Sequence, residues 1–145
     1  KGGAKDLRGT RTDNIAQNLN WAVEHEYTAI LQYMFQSYMT TNKQAKKQLE
    51  TQAINEMQHM GWSAEKLVNI GGSPRIEHTD IDQSTETADM LQANISLEPE
   101  VAAKYNQAAK ETESHDLKNL FIRMRNHEKY HHKVFSDLLK EEERG

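Results

Sequence analysis

Residues 54–62 read INEMQHMGW and residues 126–135 read NHEKYHHKVF. Each stretch carries a glutamate followed three residues later by a histidine: Glu56 and His59 in the first, Glu128 and His131 in the second. On a helix that spacing puts both side chains on one face. The same face is otherwise apolar. Leu49, Ala53, Met60, Leu67 and Ile70 keep helical spacing around Glu56 and His59, and Phe121, Met124, Phe135 and Leu138 keep it around Glu128 and His131. Two more stripes follow the rule. Leu19, Ala22, Val23, Ala29, Ile30 and Tyr33 surround Glu26, while Leu91, Ile95, Val101, Ala102 and Tyr105 surround Glu98. The pattern predicts four amphipathic helices, each with one glutamate in the middle of its buried stripe.

Punctuation residues set the bounds. The helices are predicted from about Arg11 to Tyr38, from about Lys43 to Ile70, from Thr85 or later to about Ser114, and from about Asp116 to Glu143. Thr40-Thr41-Asn42 stops the first, and Gly71-Gly72 with Pro74 stops the second. The polar stretch SPRIEHTDIDQS (73–84) is long enough to be a crossover. Helices of ~28 residues are ~42 Å long. Four of them with two short connections and one long crossover between the second and third describe an all-α, antiparallel four-helix bundle. The 145 residues suit one domain spanning 1–145.

A buried, unpaired carboxylate costs several kcal/mol even after relaxation. Four facing one another cost more, unless they take up protons or share cations. Two divalent ions match four glutamates in charge, and two neutral imidazoles complete the set. A glutamate from each of two helices plus Glu-x-x-His from the other two is the di-iron or di-manganese carboxylate arrangement. Spacing supports it. Glu26 to Glu56 and Glu98 to Glu128 are both 30 residues, and Tyr33 and Tyr105 each follow the upstream glutamate by seven. Glu…Tyr…Glu-x-x-His therefore occurs twice, as an internal repeat of two helical hairpins. The expected metal ligands are Glu26, Glu56, His59, Glu98, Glu128 and His131.

Glu98 is followed by Pro99, so the third helix either bends at the site or begins there. In the second case Glu100 faces inward instead; spacing and stripe favour Glu98. Tyr33 and Tyr105 are either core residues with a bonded hydroxyl, or groups that hydrogen-bond a ligand or pass an electron. His25 and His127 are expected to point off the core face toward the surface. His132, four residues after Glu128, is a candidate partner for a ligand.

Composition narrows the chemistry. The chain has no cysteine, which excludes disulfides, thiolate zinc sites, cysteine-ligated iron–sulfur clusters and a rubredoxin-type iron site. Any metal is held by oxygen and imidazole, a ligand set that suits iron, manganese or zinc. Net charge is −4 and no basic patch stands out, so nucleic acid is not an expected partner. Charged residues make up 28%, and no apolar run approaches a membrane span of ~20 residues. The chain opens at Lys1 without a methionine and without a signal-peptide pattern. A cytoplasmic location is the expectation.

At these residues the sequence resembles the ferritin-like superfamily, and within it bacterioferritins and rubrerythrin-type proteins. HEYTAILQY (25–33) resembles the first-helix segment of bacterioferritins, INEMQH (54–59) their second-helix signature, and HEKYH (127–131) the fourth-helix pair. The resemblance covers roughly residues 15–140. It implies a di-iron centre that oxidises Fe(II) and reduces oxygen or hydrogen peroxide, with electrons from an external donor. Met57 falls where bacterioferritins ligate a shared haem, but methionine is common there in haem-free relatives, and haem is not the expectation. Two inner-surface iron-handling residues of bacterioferritins fall at Thr51 and Asn55, where the match fails. The chain ends 14 residues after His131, without the fifth helix that helps close a bacterioferritin cage. A homodimer or small homo-oligomer is the expected assembly. Three other readings stand beside the leading one: a di-iron oxidase or oxygenase acting on an organic substrate, an iron-storage subunit, and a metal-free helical module with protonated core glutamates.

Overall fold

A computed structural model describes residues 3–145, with side chains from residue 13 onward. The helices are α1 (Gly3–Met39), α2 (Lys43–Asn69), α3 (Thr87–Lys110) and α4 (His115–Arg144). No strand occurs among the described residues. The expected four-helix architecture is present. Its one large boundary difference is α1, which starts at Gly3 rather than near Arg11. Gly2, Gly3 and Gly9 weaken helix propensity there and hide the start from a sequence reading.

Local chemistry fixes the helix ends. Asn42 caps α2, its side chain accepting from the Ala45 N–H at 2.9 Å, and Ser114 caps α4 by accepting from Leu117. α2 stops where Gly71 takes φ +88°, a conformation open to glycine, and the Gly72 N–H donates back to the Leu67 carbonyl at 2.9 Å. α3 continues through Pro99 without ending.

Cross-helix pairs show the directions. Between α1 and α3 with its C-terminal cap residue Glu111, Asn18 bonds Glu111, Glu26 bonds Tyr105 and Gln36 bonds Asn94. Between α2 and α4, His59 meets His127, Ser63 meets Met124 and Lys66 meets Asp116. In both pairs one number rises as the other falls, so these neighbours are antiparallel. α1 packs most closely along α2, and α3 along α4. Two hairpins therefore dock face to face, as the internal repeat implies.

The crossover, residues 70–86, runs as a strap along α1. The Arg75 N–H donates to Asn20, the Thr79 N–H to Thr28 and the Asp82 N–H to Gln32, while the Thr87 and Thr40 hydroxyls bond at the far end. From Asn20 to Thr40 is about 30 Å of helix. The strap thus returns the chain along the bundle, which is what lets α3 run antiparallel to α1.

The apolar interior comes in two blocks. One contains Leu19, Ala22, Leu67, Val101, Phe121 and Met124; the other contains Ala29, Leu49, Ala53, Leu91, Phe135 and Leu138. Of the residues assigned to stripes from sequence, Met60, Ile70 and Ile95 are half-buried and the others are buried. Beside the second block lies a closed polar network. Gln32 and Gln36 both donate to Asn94 Oδ1, at 2.8 and 3.1 Å, and Asn94 donates to Gln36 Oε1 at 2.8 Å. Gln32 is also the strap's anchor. Asn94→Ala is expected to leave buried amide groups on Gln32 and Gln36 unpaired and to destabilise the fold by roughly 2 kcal/mol or more. Urea unfolding of the purified variant measures this; an unchanged midpoint and slope would show that the network adds nothing.

Candidate metal centre

Between the two apolar blocks the four helices turn their glutamates inward. Glu26 and Glu56 are fully buried, Glu128 is 3% exposed and Glu98 9% exposed; Glu100 is exposed. His59 and His131 are buried beside them. The helical period explains the placement. Glu26 lies between Ala22 and Ala29 on the core stripe of α1, and Glu128 between Met124 and Phe135 on that of α4.

Both imidazoles present Nδ1 to the carboxylates. His59 Nδ1 stands 3.2 Å from Glu56 Oε1 and 3.5 Å from Glu26 Oε1. His131 Nδ1 stands 3.9 Å from the same Glu56 oxygen and 4.0 Å from Glu128 Oε2. Glu56 is therefore central, shared by two histidine-bearing halves. The Tyr105 hydroxyl donates to Glu26 Oε2 at 3.0 Å. Tyr33 sets its ring edge-on to His131 and Phe135, with centroids 6.3 and 5.4 Å away. Glu98 stands apart: its Oε2 faces His132 Nδ1 at 3.3 Å, and its oxygens do not join the tight group around Glu56. Met57 lies on the outer face of α2 and is exposed.

Two histidines depart from their expected surface positions. His25 stacks on Trp21, with centroids 5.3 Å apart and planes 7° from parallel, and this turns Nε2 inward to 3.8 Å from Glu128 Oε1. His127 is half-buried and pairs its Nδ1 with His59 Nε2. Each precedes a core glutamate by one position, about 100° around the helix, and a long aromatic side chain spans that gap. The only sequence signal was the repeated His-Glu pair at 25–26 and 127–128. The Gln32–Gln36–Asn94 network had none, since polar residues at core spacing read as interruptions.

Among known proteins, the ferritin-like domain family matches residues 16–145. The chain belongs to the ferritin-like family. Solved structures that share its fold include the following three. A Desulfovibrio desulfuricans bacterioferritin, studied for its diiron site in different catalytic states, superposes with a TM-score of 0.85 at 23% identity, over 92% of this chain and 82% of that one. A dodecameric thioferritin from Bacteroides fragilis, a bacterioferritin-related protein, gives 0.83 at 19% identity over 92% and 88%. A ferritin-like, diiron-carboxylate protein from Bacillus anthracis gives 0.79 at 21% identity over 89% and 97%. No curated protein matches the sequence significantly.

The donor chemistry of this ferritin-like chain fits metal ions. Glu26 Oε1, both Glu56 oxygens, Glu128 Oε2, His59 Nδ1 and both nitrogens of His131 are buried with no hydrogen-bond partner in the protein. Buried polar atoms are normally satisfied, and a cluster of unsatisfied acceptors is costly. Carboxylate oxygen and imidazole nitrogen are the ligands that iron, manganese and zinc accept. With Nδ1 on a metal, the His59 proton sits on Nε2, where it donates to His127 Nδ1. An oriented partner of this kind fixes the ring and its tautomer.

Without metal, the electrostatics are strained. Burial, then the charges of Glu26 and Glu128, push the Glu56 carboxyl well above the usual range. Burial also pushes Glu128 up, but His25 and His131 outweigh it and hold that group below its ordinary value. Burial and the three nearby glutamates raise the Tyr33 and Tyr105 hydroxyls well above 10.0. A carboxyl whose folded pKa is raised favours the fold while protonated, and that contribution is lost as pH rises through the folded value. The raised tyrosines act in the same direction at higher pH. The metal-free protein is therefore expected to lose thermal stability as pH rises from the ordinary carboxyl value of 4.5 toward the raised Glu56 value. Glu56→Gln should flatten that fall, and added divalent metal should remove most of it. Melting curves across this range, with and without chelator, are the check; parallel curves for both proteins would refute the electrostatic account.

Proposed function

We propose that this ferritin-like protein is a di-iron oxidoreductase that oxidises Fe(II) and reduces oxygen or hydrogen peroxide. The single observation that carries the reading is the shared carboxylate. Glu56 Oε1 faces the Nδ1 atoms of two buried histidines, each backed by a further glutamate. That is two half-sites joined by one anion. When bound, a pair of iron ions supplies two electrons at one place and Lewis-acid stabilisation of the reduced oxidant. Likeness to a bacterioferritin and a diiron-carboxylate protein supports the same reading.

The chain's own residues divide the remaining work. Glu26, Glu56, Glu128, His59 and His131 would hold the ions, with Glu98, which faces His132, as the proposed sixth ligand. Tyr105 positions Glu26 through its hydroxyl. Tyr33, buried against His131, is the proposed electron relay. A cavity of about 110 Å³ adjoins the centre, lined in part by His25, Thr28, Tyr33, Asp80, Asn94 and Glu128. Its size favours a small oxidant over an organic substrate, since drug-sized ligands need roughly 300 Å³ or more. Met34, Tyr38, Ile54 and Met57 form an exposed apolar groove on the outer α1–α2 face. A second copy of the chain covering that groove is the proposed assembly. The proposal includes an external electron donor and a cytoplasmic setting; no helix among the described residues is long and apolar enough to cross a membrane.

Anaerobic Fe(II) titration followed by oxygen or peroxide tests the activity. About two Fe(II) per chain should bind and be oxidised rapidly, at different rates with the two oxidants. Glu56→Ala should lose at least one ion; full-affinity retention of both would contradict the ligand assignment. Sedimentation tests the assembly. Ile54→Lys should shift the protein toward monomer, and an unchanged sedimentation coefficient would place the contact elsewhere.

A further inference from the structure

We propose that His25 is itself a metal ligand, binding through Nε2 as a third imidazole at the centre. The inference rests on the metal-centre reading above. Four donor atoms, one each from His25, Glu26, Glu56 and Glu128, all lie within 4.8 Å of one another. Donors on one ion at ~2.1 Å stand about 3.0–3.5 Å apart, so a small inward movement of these side chains closes the group around a metal. His25 Nε2 is buried and has no hydrogen-bond partner. Its nearest carboxylate oxygen, on Glu128, is 3.8 Å away, which is beyond hydrogen-bond reach.

The ring is held for this role. Trp21 stacks on one face of His25, and Tyr105 meets it edge-on at 6.3 Å. Lys104 Nζ lies 5.5 Å from the Trp21 ring centre, which steadies the stack further. Tyr105 also bonds Glu26, so one side chain orients two neighbouring donors. The donor that adjoins Glu128 from the α1 side is the imidazole of His25, and the nitrogen ligands become unequal: one from α2, one from α4 and one from α1. His25 also lines the 110 Å³ cavity, so the ion it binds is the one nearest to incoming small molecules.

Cobalt(II) is the probe. The metal-free protein is titrated anaerobically with Co(II), and the loaded protein is examined by proton NMR for strongly shifted, solvent-exchangeable imidazole N–H signals. Each ligating histidine contributes one such signal. Three signals are expected, from His25, His59 and His131. His25→Gln should remove one of them and weaken binding of one cobalt by at least ~10-fold. Two signals in the unaltered protein, both retained in His25→Gln, overturn the assignment whatever the variant's stability. Failure of the unaltered protein to bind cobalt overturns the metal-centre reading, and this assignment with it.

Discussion

The bundle is organised around the cost of keeping carboxylates away from water. Glu26, Glu56, Glu98 and Glu128 occupy the middle of four apolar stripes, and they split the interior into two hydrophobic blocks with a polar waist. Either block alone could be built from helices sliding freely past one another, because ridges and grooves tolerate several registers. The waist removes that freedom. Each helix must bring one acid to the same level, so the polar layer fixes the longitudinal register that leucine and alanine leave loose. This is a use of buried polarity for specificity, with the charge to be balanced by bound cations.

The centre is less symmetrical than the repeat that encodes it. In sequence the two halves match: Glu…Tyr…Glu-x-x-His, twice, with equal spacing. In space they differ. Glu26 receives a hydroxyl bond from Tyr105, whereas Glu98 meets the imidazole of His132. His59 leans on His127, and no such partner holds His131. Tyr33 and Tyr105 share a place in the repeat, yet one packs beside an imidazole and the other bonds a carboxylate. The two halves therefore differ in hydrogen bonding and packing, so an ion held in one would have different surroundings from an ion held in the other.

The fold was legible because it depends on periodicity, which sequence displays directly. Glu56, His59, Glu128 and His131 could be placed on inward faces from spacing alone, and Gly71 marked the end of α2. Less visible was anything that depends on side-chain reach. His25 and His127 occupy positions that point away from the core on a helical wheel. Their rings return inward because Trp21 and His59 hold them. The strap's path along α1 was also hidden. It rests on backbone donors finding Asn20, Thr28 and Gln32, and that pairing has no period. Glu98 shows the intermediate case: its inward placement follows from the stripe, but its turn toward His132 requires coordinates.

The strap has a consequence for how such a protein can change over evolutionary time. Thr79 and Asp80 form part of the cavity wall, yet they belong to an irregular segment that supplies none of the buried acids. Replacements there alter which molecules diffuse inward, and how quickly, while leaving the helices in register. Permeability and reactivity are thereby assigned to different stretches of chain, so selection can tune one without disturbing the other.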